Sequence, residues 1–198
     1  GVVLVMAIVM HWLWLSLLFI GTGLALGRSP AMLIKHMLPA YFTALGTMSS
    51  AATIPVALQA SKNNGVSEGI ANFTVPLCAT IHLCGSTITL VTCATAVMFL
   101  SEHLAIPGYG TMLPFIMMLG VIMIAAPGAP GGGVMSALGL LTSMLGFGEA
   151  SIALMIALYL AQDSFGTACN VTGDGVIALW ADRFARGEPA LSTEQDAA

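Results

Sequence analysis

Four polar side chains share one face of an otherwise apolar stretch: Asp163, Thr167, Asn170 and Asp174, spaced i, i+4, i+7, i+11. On an α-helix turning about 100° per residue, they fall within about 40° of one another. Two carboxylates, a hydroxyl and an amide in one stripe could hold a cation, bind a ligand, or sit protonated in a packed bundle. Their neighbours Ile156, Leu160, Phe165, Val171 and Ile177 place the stripe in hydrocarbon, where an ionised Asp costs about 2.5–3.5 kcal/mol. No Lys or Arg interrupts the apolar runs, so no salt bridge from within them offsets that cost. An aspartate in this position is read first as part of a site.

Three further stretches carry chemistry. In Cys78-Ala79-Thr80-Ile81-His82-Leu83-Cys84-Gly85-Ser86-Thr87, His82 and Gly85 interrupt an apolar helix. A locally unwound helix exposes carbonyls that could bind a cation, although a lone histidine also fits a satisfied core position. Ser49 and Ser50 sit in Gly46-Thr47-Met48-Ser49-Ser50-Ala51-Ala52-Thr53-Ile54-Pro55, where a serine could cap the following helix or reach a ligand. Gly128-Ala129-Pro130-Gly131-Gly132-Gly133 lets backbone approach a ligand closely. No Gly-Lys-Ser/Thr follows it, so it is not a phosphate loop.

The elements that must position these groups follow from the charges. Hydrophobic residues make up 58% of the 198 and charged residues 7%, against roughly 45–50% and about 25% in soluble domains. Such a chain is built for lipid, and without a basic face it is not a nucleic-acid binder. The four cysteines lie in apolar stretches without a CxxC pair and read as packing residues. Charge-free runs cover residues 1–27, 36–61, 69–101 and 103–148. About 20 apolar residues cross a membrane. The first and third runs fit single spans. The second and fourth are split by the serine-rich and glycine-rich stretches into arms too short to cross alone.

The expected fold is an all-α membrane protein with three transmembrane helices and two re-entrant helical hairpins. Its parts are a span at 1–27, hairpin 1 at 31–61, a span at 69–101 unwound at 82–86, hairpin 2 at 111–146 and a last span at 150–182. Together these parts fill 1–186, and 187–198 form a polar, disordered tail. In this topology all five basic residues, Arg28, Lys35, Lys62, Arg183 and Arg186, face one side, as expected of a cytoplasmic face.

The order of these pieces resembles the sodium-coupled dicarboxylate and amino-acid symporters, the glutamate-transporter family. Ser49-Ser50-Ala51-Ala52-Thr53-Ile54-Pro55 is similar to its first hairpin tip. Pro76–Ser86 resembles its unwound seventh helix, and Gly128–Gly133 its second hairpin tip. Asn170-Val171-Thr172-Gly173-Asp174 resembles its eighth-helix motif. The resemblance covers about residues 30–182 and implies that 1–186 form a partial transport domain of an elevator-type carrier, not an enzyme. It implies that Asp163 holds a substrate amino group and that Asn170 and Thr167 line the pocket. Ser49, Ser50, Ser86, Ala129 and Gly131 would complete it, with Gly166 at the place of a family arginine. Asp174 with Cys78, His82 and Asn170 would bind one sodium. Thr80 with Met123, Ile124 and Ala126 would bind another.

Family members are about twice this long. The chain is therefore expected to be a fragment, lacking N-terminal scaffold helices and incapable of transport alone. When full length it would form a homotrimer in the plasma membrane, with a cytoplasmic C-terminus. Three departures shape the expected specificity. Gly166 leaves no cation for a second carboxylate, which points to a small neutral amino acid such as serine, threonine or alanine. Cys84 stands where the family has an aspartate, and a thiol is a poor sodium ligand, leaving one or two Na+ per cycle. His82 stands for an asparagine, and histidine changes charge near neutral pH, which adds H+ to the candidate coupling ions.

The rival readings are an acidic amino-acid or dicarboxylate symporter, an ion channel with re-entrant loops and a non-transporting relic. An intramembrane aspartyl protease needs converging carboxyls. Asp163 and Asp174 stand about 16 Å apart along one helix.

Overall fold

A computed structural model describes residues 1–186, and the tail expected at 187–198 lies outside the described residues. Among the described residues the chain is all helical, in the order α1 Val2–Leu26, α2 Pro30–Thr47, α3 Ser50–Asn63, α4 Glu68–Ile81, α5 Cys84–Leu100, α6 Tyr109–Met123, α7 Gly132–Leu145, α8 Glu149–Leu160 and α9 Asp163–Arg186. Helix α1, and α4 with α5 taken together, are long and apolar enough to cross a membrane. A third span forms if α8 and α9, bent by 58°, are taken together. Helices α2 and α3 pack against each other as one helical hairpin, and α6 and α7 as another.

The starts and stops are local. Ser29 precedes Pro30, whose missing N–H costs nothing at the first helical position. The Ser49 hydroxyl accepts from Ala52 N at 3.2 Å and caps α3. Gly131 opens α7 at φ +76°, a left-handed conformation that glycine adopts without a Cβ penalty.

Polarity runs from the inside outward. Helix α9 packs against α1, α2, α3, α4, α5 and α8 and buries Asp163, Thr167, Asn170 and Asp174. Helix α1 instead exposes Leu13, Leu17 and Leu24. Polar groups inside and leucines outside fit a body whose solvent is lipid. One apolar cluster joins Leu15, Phe19, Met37, Val75 and Leu179 around α9. A second joins Leu90, Phe115, Leu119, Leu141 and Met155 across α5 to α8.

Charged residues gather at one rim. Arg28 Nη1 donates to the Asn64 carbonyl, and Arg183 Nη1 to that of Ala25 at 2.9 Å. The Asp182 carboxylate accepts from Ser67 N at 3.0 Å and pairs with Arg186 at 3.1 Å. Lys62 pairs with Glu68 at 2.8 Å.

Two boundaries differ from the sequence expectation. The break in the third span covers only His82 and Leu83, because Gly85 and Ser86 already lie in the first turn of α5. Asn170 accepts from both of their amides, which keeps that turn helical. The last span is two helices that bend at Ala161 and Gln162, so Asp163 starts a helix rather than lying in the middle of one.

The α5–α9 crossing depends on small residues. A Cβ at Gly85 would lie 2.4 Å from the Gly166 carbonyl oxygen and 2.5 Å from Cys169 Cβ. Overpacking of this kind costs about 1–3 kcal/mol. Gly85→Ala should therefore lower the thermal unfolding midpoint of the detergent-solubilised protein by several degrees, whereas Gly139→Ala, with open space at its Cβ, should not.

Candidate functional site

A helix broken inside a bundle frees amides on one side of the break and carbonyls on the other. Asn170 of α9 satisfies the amide side. Its Oδ1 accepts from Gly85 N at 2.7 Å and Ser86 N at 3.2 Å, while its Nδ2 donates to Ser86 Oγ at 2.9 Å. On the carbonyl side, Cys78 O accepts from His82 N at 2.9 Å. His82 Nδ1 lies 2.7 Å from Asp174 Oδ1, and Asp174 is buried. Gly173 makes room for the imidazole, since a Cβ there would lie 2.7 Å from His82 Cε1.

The two hairpin tips meet above this break. Ser49 Oγ donates to the Gly128 carbonyl at 3.0 Å, and Ala51 N lies 3.5 Å from the same oxygen. A Cβ at Gly128 would lie 2.6 Å from Ala79 O, so the second tip rests on the end of α4. Gly131 N donates to Asp163 Oδ2 at 2.7 Å, tying the second tip to the start of α9.

Between the tips and α9 lies a cavity of about 10 Å³, room for roughly one water. Asp163, Thr167 and Asn170 line it from α9, Ser50 and Ser86 from the starts of α3 and α5, and Ala129 from the second tip. Tyr159 of α8 completes it. The contacts between the two tips cover this space.

Most of the expected ligand-binding residues are brought together here: Ser50, Ser86, Ala129, Asp163, Thr167 and Asn170 in the lining, with Ser49 and Gly131 as latches. Gly166 is not in the lining. Its α-carbon faces α5, where a Cβ would lie 3.0 Å from Thr89 Oγ1. The helix crossing, rather than the cavity, takes up the space at that position.

The expected ion ligands divide into two groups. Asp174, His82, Cys78 and Asn170 converge at the break. Thr80 is exposed and its hydroxyl turns back to Leu77 O at 2.8 Å. The Met123 carbonyl accepts from Ala126 N at 3.1 Å in the turn after α6, and the Ile124 side chain faces outward. Among the described residues no three His, Cys, Asp or Glu are arranged around a common metal position. The four cysteines are free thiols. The donors at the break include the Asp174 carboxylate and backbone carbonyls, oxygens of the kind a hard cation such as sodium takes.

Two functional-site residues were missed by the sequence reading. His11 of α1 is buried, with Nε2 3.0 Å from Gly85 O and 3.1 Å from Thr89 Oγ1. Its one sequence signal is a polar ring in a 25-residue apolar helix. Tyr159 stands four residues before Asp163, one step further along the same spacing, but aromatics on apolar helices usually read as packing.

Broken and short helices converging on buried polar groups, inside an apolar surface, fit an all-α multi-pass membrane protein. The sequence profile of the sodium:dicarboxylate symporter family matches residues 1–184, and the chain belongs to that family, one of symporters rather than enzymes. It is 32% identical over 163 residues to excitatory amino acid transporter 1 of Rattus norvegicus, covering 81% of this chain and 29% of the relative. It is 30% identical over 152 residues to excitatory amino acid transporter 5 of Homo sapiens, covering 76% and 27%. An excitatory amino acid transporter of Caenorhabditis elegans is 29% identical over 154 residues, covering 75% and 29%. The chain thus spans under a third of the length of these relatives.

Asn170 makes three hydrogen bonds to the start of α5, each worth about 0.5–1.5 kcal/mol net. Asn170→Ala should lower the unfolding midpoint of the detergent-solubilised protein by several degrees, which thermal denaturation measures.

Proposed function

We propose that this chain is the substrate- and ion-binding core of a sodium-coupled symporter for a small neutral amino acid. The observation that carries this reading is the lining of the closed cavity. It holds one carboxylate, Asp163, and no Lys or Arg among the described residues. Asp163 is placed for a substrate ammonium, because an ion pair is the favourable way to bury either charge. The substrate carboxylate falls to Ser50, Asn170 and the amide-rich starts of α3 and α7, where helix dipoles favour an anion. A second carboxylate would find no counter-charge, which is expensive in a dry site.

Sodium couples through the oxygen-rich ends of the broken helices. His82 already engages one Asp174 oxygen, which favours one or two sodium ions over a larger number. Ordering of the second tip by substrate and sodium closes the cavity, and the domain then slides in elevator fashion. The intact carrier works as a homotrimer in the cell membrane, with scaffold helices outside this chain and its C-terminus in the cytoplasm. The similarity to excitatory amino acid transporters favours a second reading, uptake of acidic amino acids.

Uptake by the full-length parent protein in proteoliposomes decides between them. Serine uptake should be saturable, lost when sodium is replaced by choline, and blocked by alanine but not by equimolar glutamate. Higher affinity for glutamate than for serine would establish the acidic reading, and conductance without saturable uptake would indicate a channel. Asp163→Asn should reduce serine uptake about ten- to hundredfold, the range for a lost charge-assisted hydrogen bond.

A further inference from the structure

Buried hydroxyls normally find partners, and one that does not marks strain or a missing ligand. Tyr159, in the last turn of α8, is fully buried and lines the cavity. Its hydroxyl is without a hydrogen-bond partner among the described residues. It shares the cavity wall with the Ser86 hydroxyl and the Asp163 carboxylate and completes a hydrogen bond with neither. Each of these neighbours already has one partner: Ser86 Oγ accepts from Asn170 Nδ2, and Asp163 Oδ2 accepts from Gly131 N. The hydroxyl also presses on the second tip, where a Cβ at Gly133 would lie 2.5 Å from it. The ring is held among apolar side chains of the second cluster, so its tip is the one polar part of the residue.

We infer that Tyr159 is a specificity-determining residue whose hydroxyl hydrogen-bonds the side-chain hydroxyl of a serine- or threonine-like substrate. This rests on the neutral amino-acid reading above. Asp163 serves the ammonium and the helix starts serve the carboxylate, which leaves the substrate side chain facing Tyr159. A phenol both donates and accepts, so it matches a hydroxyl in either sense. A site that offers a hydrogen bond to a substrate hydroxyl disfavours the analogue lacking it, because the protein group is then left unpaired. Tyr159 thereby ranks serine and threonine above alanine.

The test is Tyr159→Phe in the full-length parent protein, reconstituted in liposomes. KM for serine and threonine should rise about tenfold, the scale of one lost buried hydrogen bond. The ratio of maximal rate over KM for serine to that for alanine should fall about tenfold. The unfolding midpoint of the substrate-free protein should hold or rise, because the variant removes an unpaired buried hydroxyl. Serine and alanine KM shifting together, no shift in either, or a fall of several degrees in the substrate-free midpoint would each overturn the inference and make the hydroxyl structural. A wild-type carrier that moves serine and alanine, with a variant that shifts both KM values alike or neither, defeats this inference alone. A wild-type carrier that prefers glutamate defeats the neutral reading, and this inference with it.

Discussion

A helix that breaks inside lipid must find partners for the backbone groups it frees, and here one side chain does most of that work. The Asn170 amide accepts from the first two amides of α5 and donates to the Ser86 hydroxyl. Water cannot take over that role in hydrocarbon, so the break between α4 and α5 exists only where α9 runs beside it. The other site features depend on this arrangement. It places Ser86 in the cavity wall, brings His82 onto Asp174, and sets the floor on which the second hairpin tip rests. His11 supports it from α1 through the Gly85 carbonyl.

Close approach is the second constraint, and glycines provide it. Gly85 and Gly166 let α5 and α9 nearly touch, Gly173 admits the His82 ring, and Gly128 lets the second tip sit on Ala79. These contacts explain why polar groups from four helices can share a space the size of one water. They also explain why Gly166, read from sequence as a position facing the ligand, serves the helix crossing instead.

The cavity and the second hairpin tip share one carboxylate. Asp163 lines the cavity, and one of its oxygens accepts from Gly131 N, which ties it to the second tip. Ser49 latches the first tip to Gly128 in the same way. In the proposed symporter, ligand and tip would share the same carboxylate.

Much of this was legible in the residue order. The scarcity of charge marked the chain as membrane-bound. The stripe of Asp163, Thr167, Asn170 and Asp174 pointed to α9 as the helix carrying the site, because helical periodicity is local. Serine-rich and glycine-rich stretches pointed to the tips for the same reason: capping and left-handed backbone are decided within a few residues. What only the tertiary structure decided is which groups meet across helices. The two-residue length of the break, the bend before Asp163, the burial of Gly166 against α5, the pairing of His82 with Asp174 and the unpaired Tyr159 hydroxyl all depend on distances between segments far apart in sequence. A single chain's spacing carries no information about those distances until the helices pack.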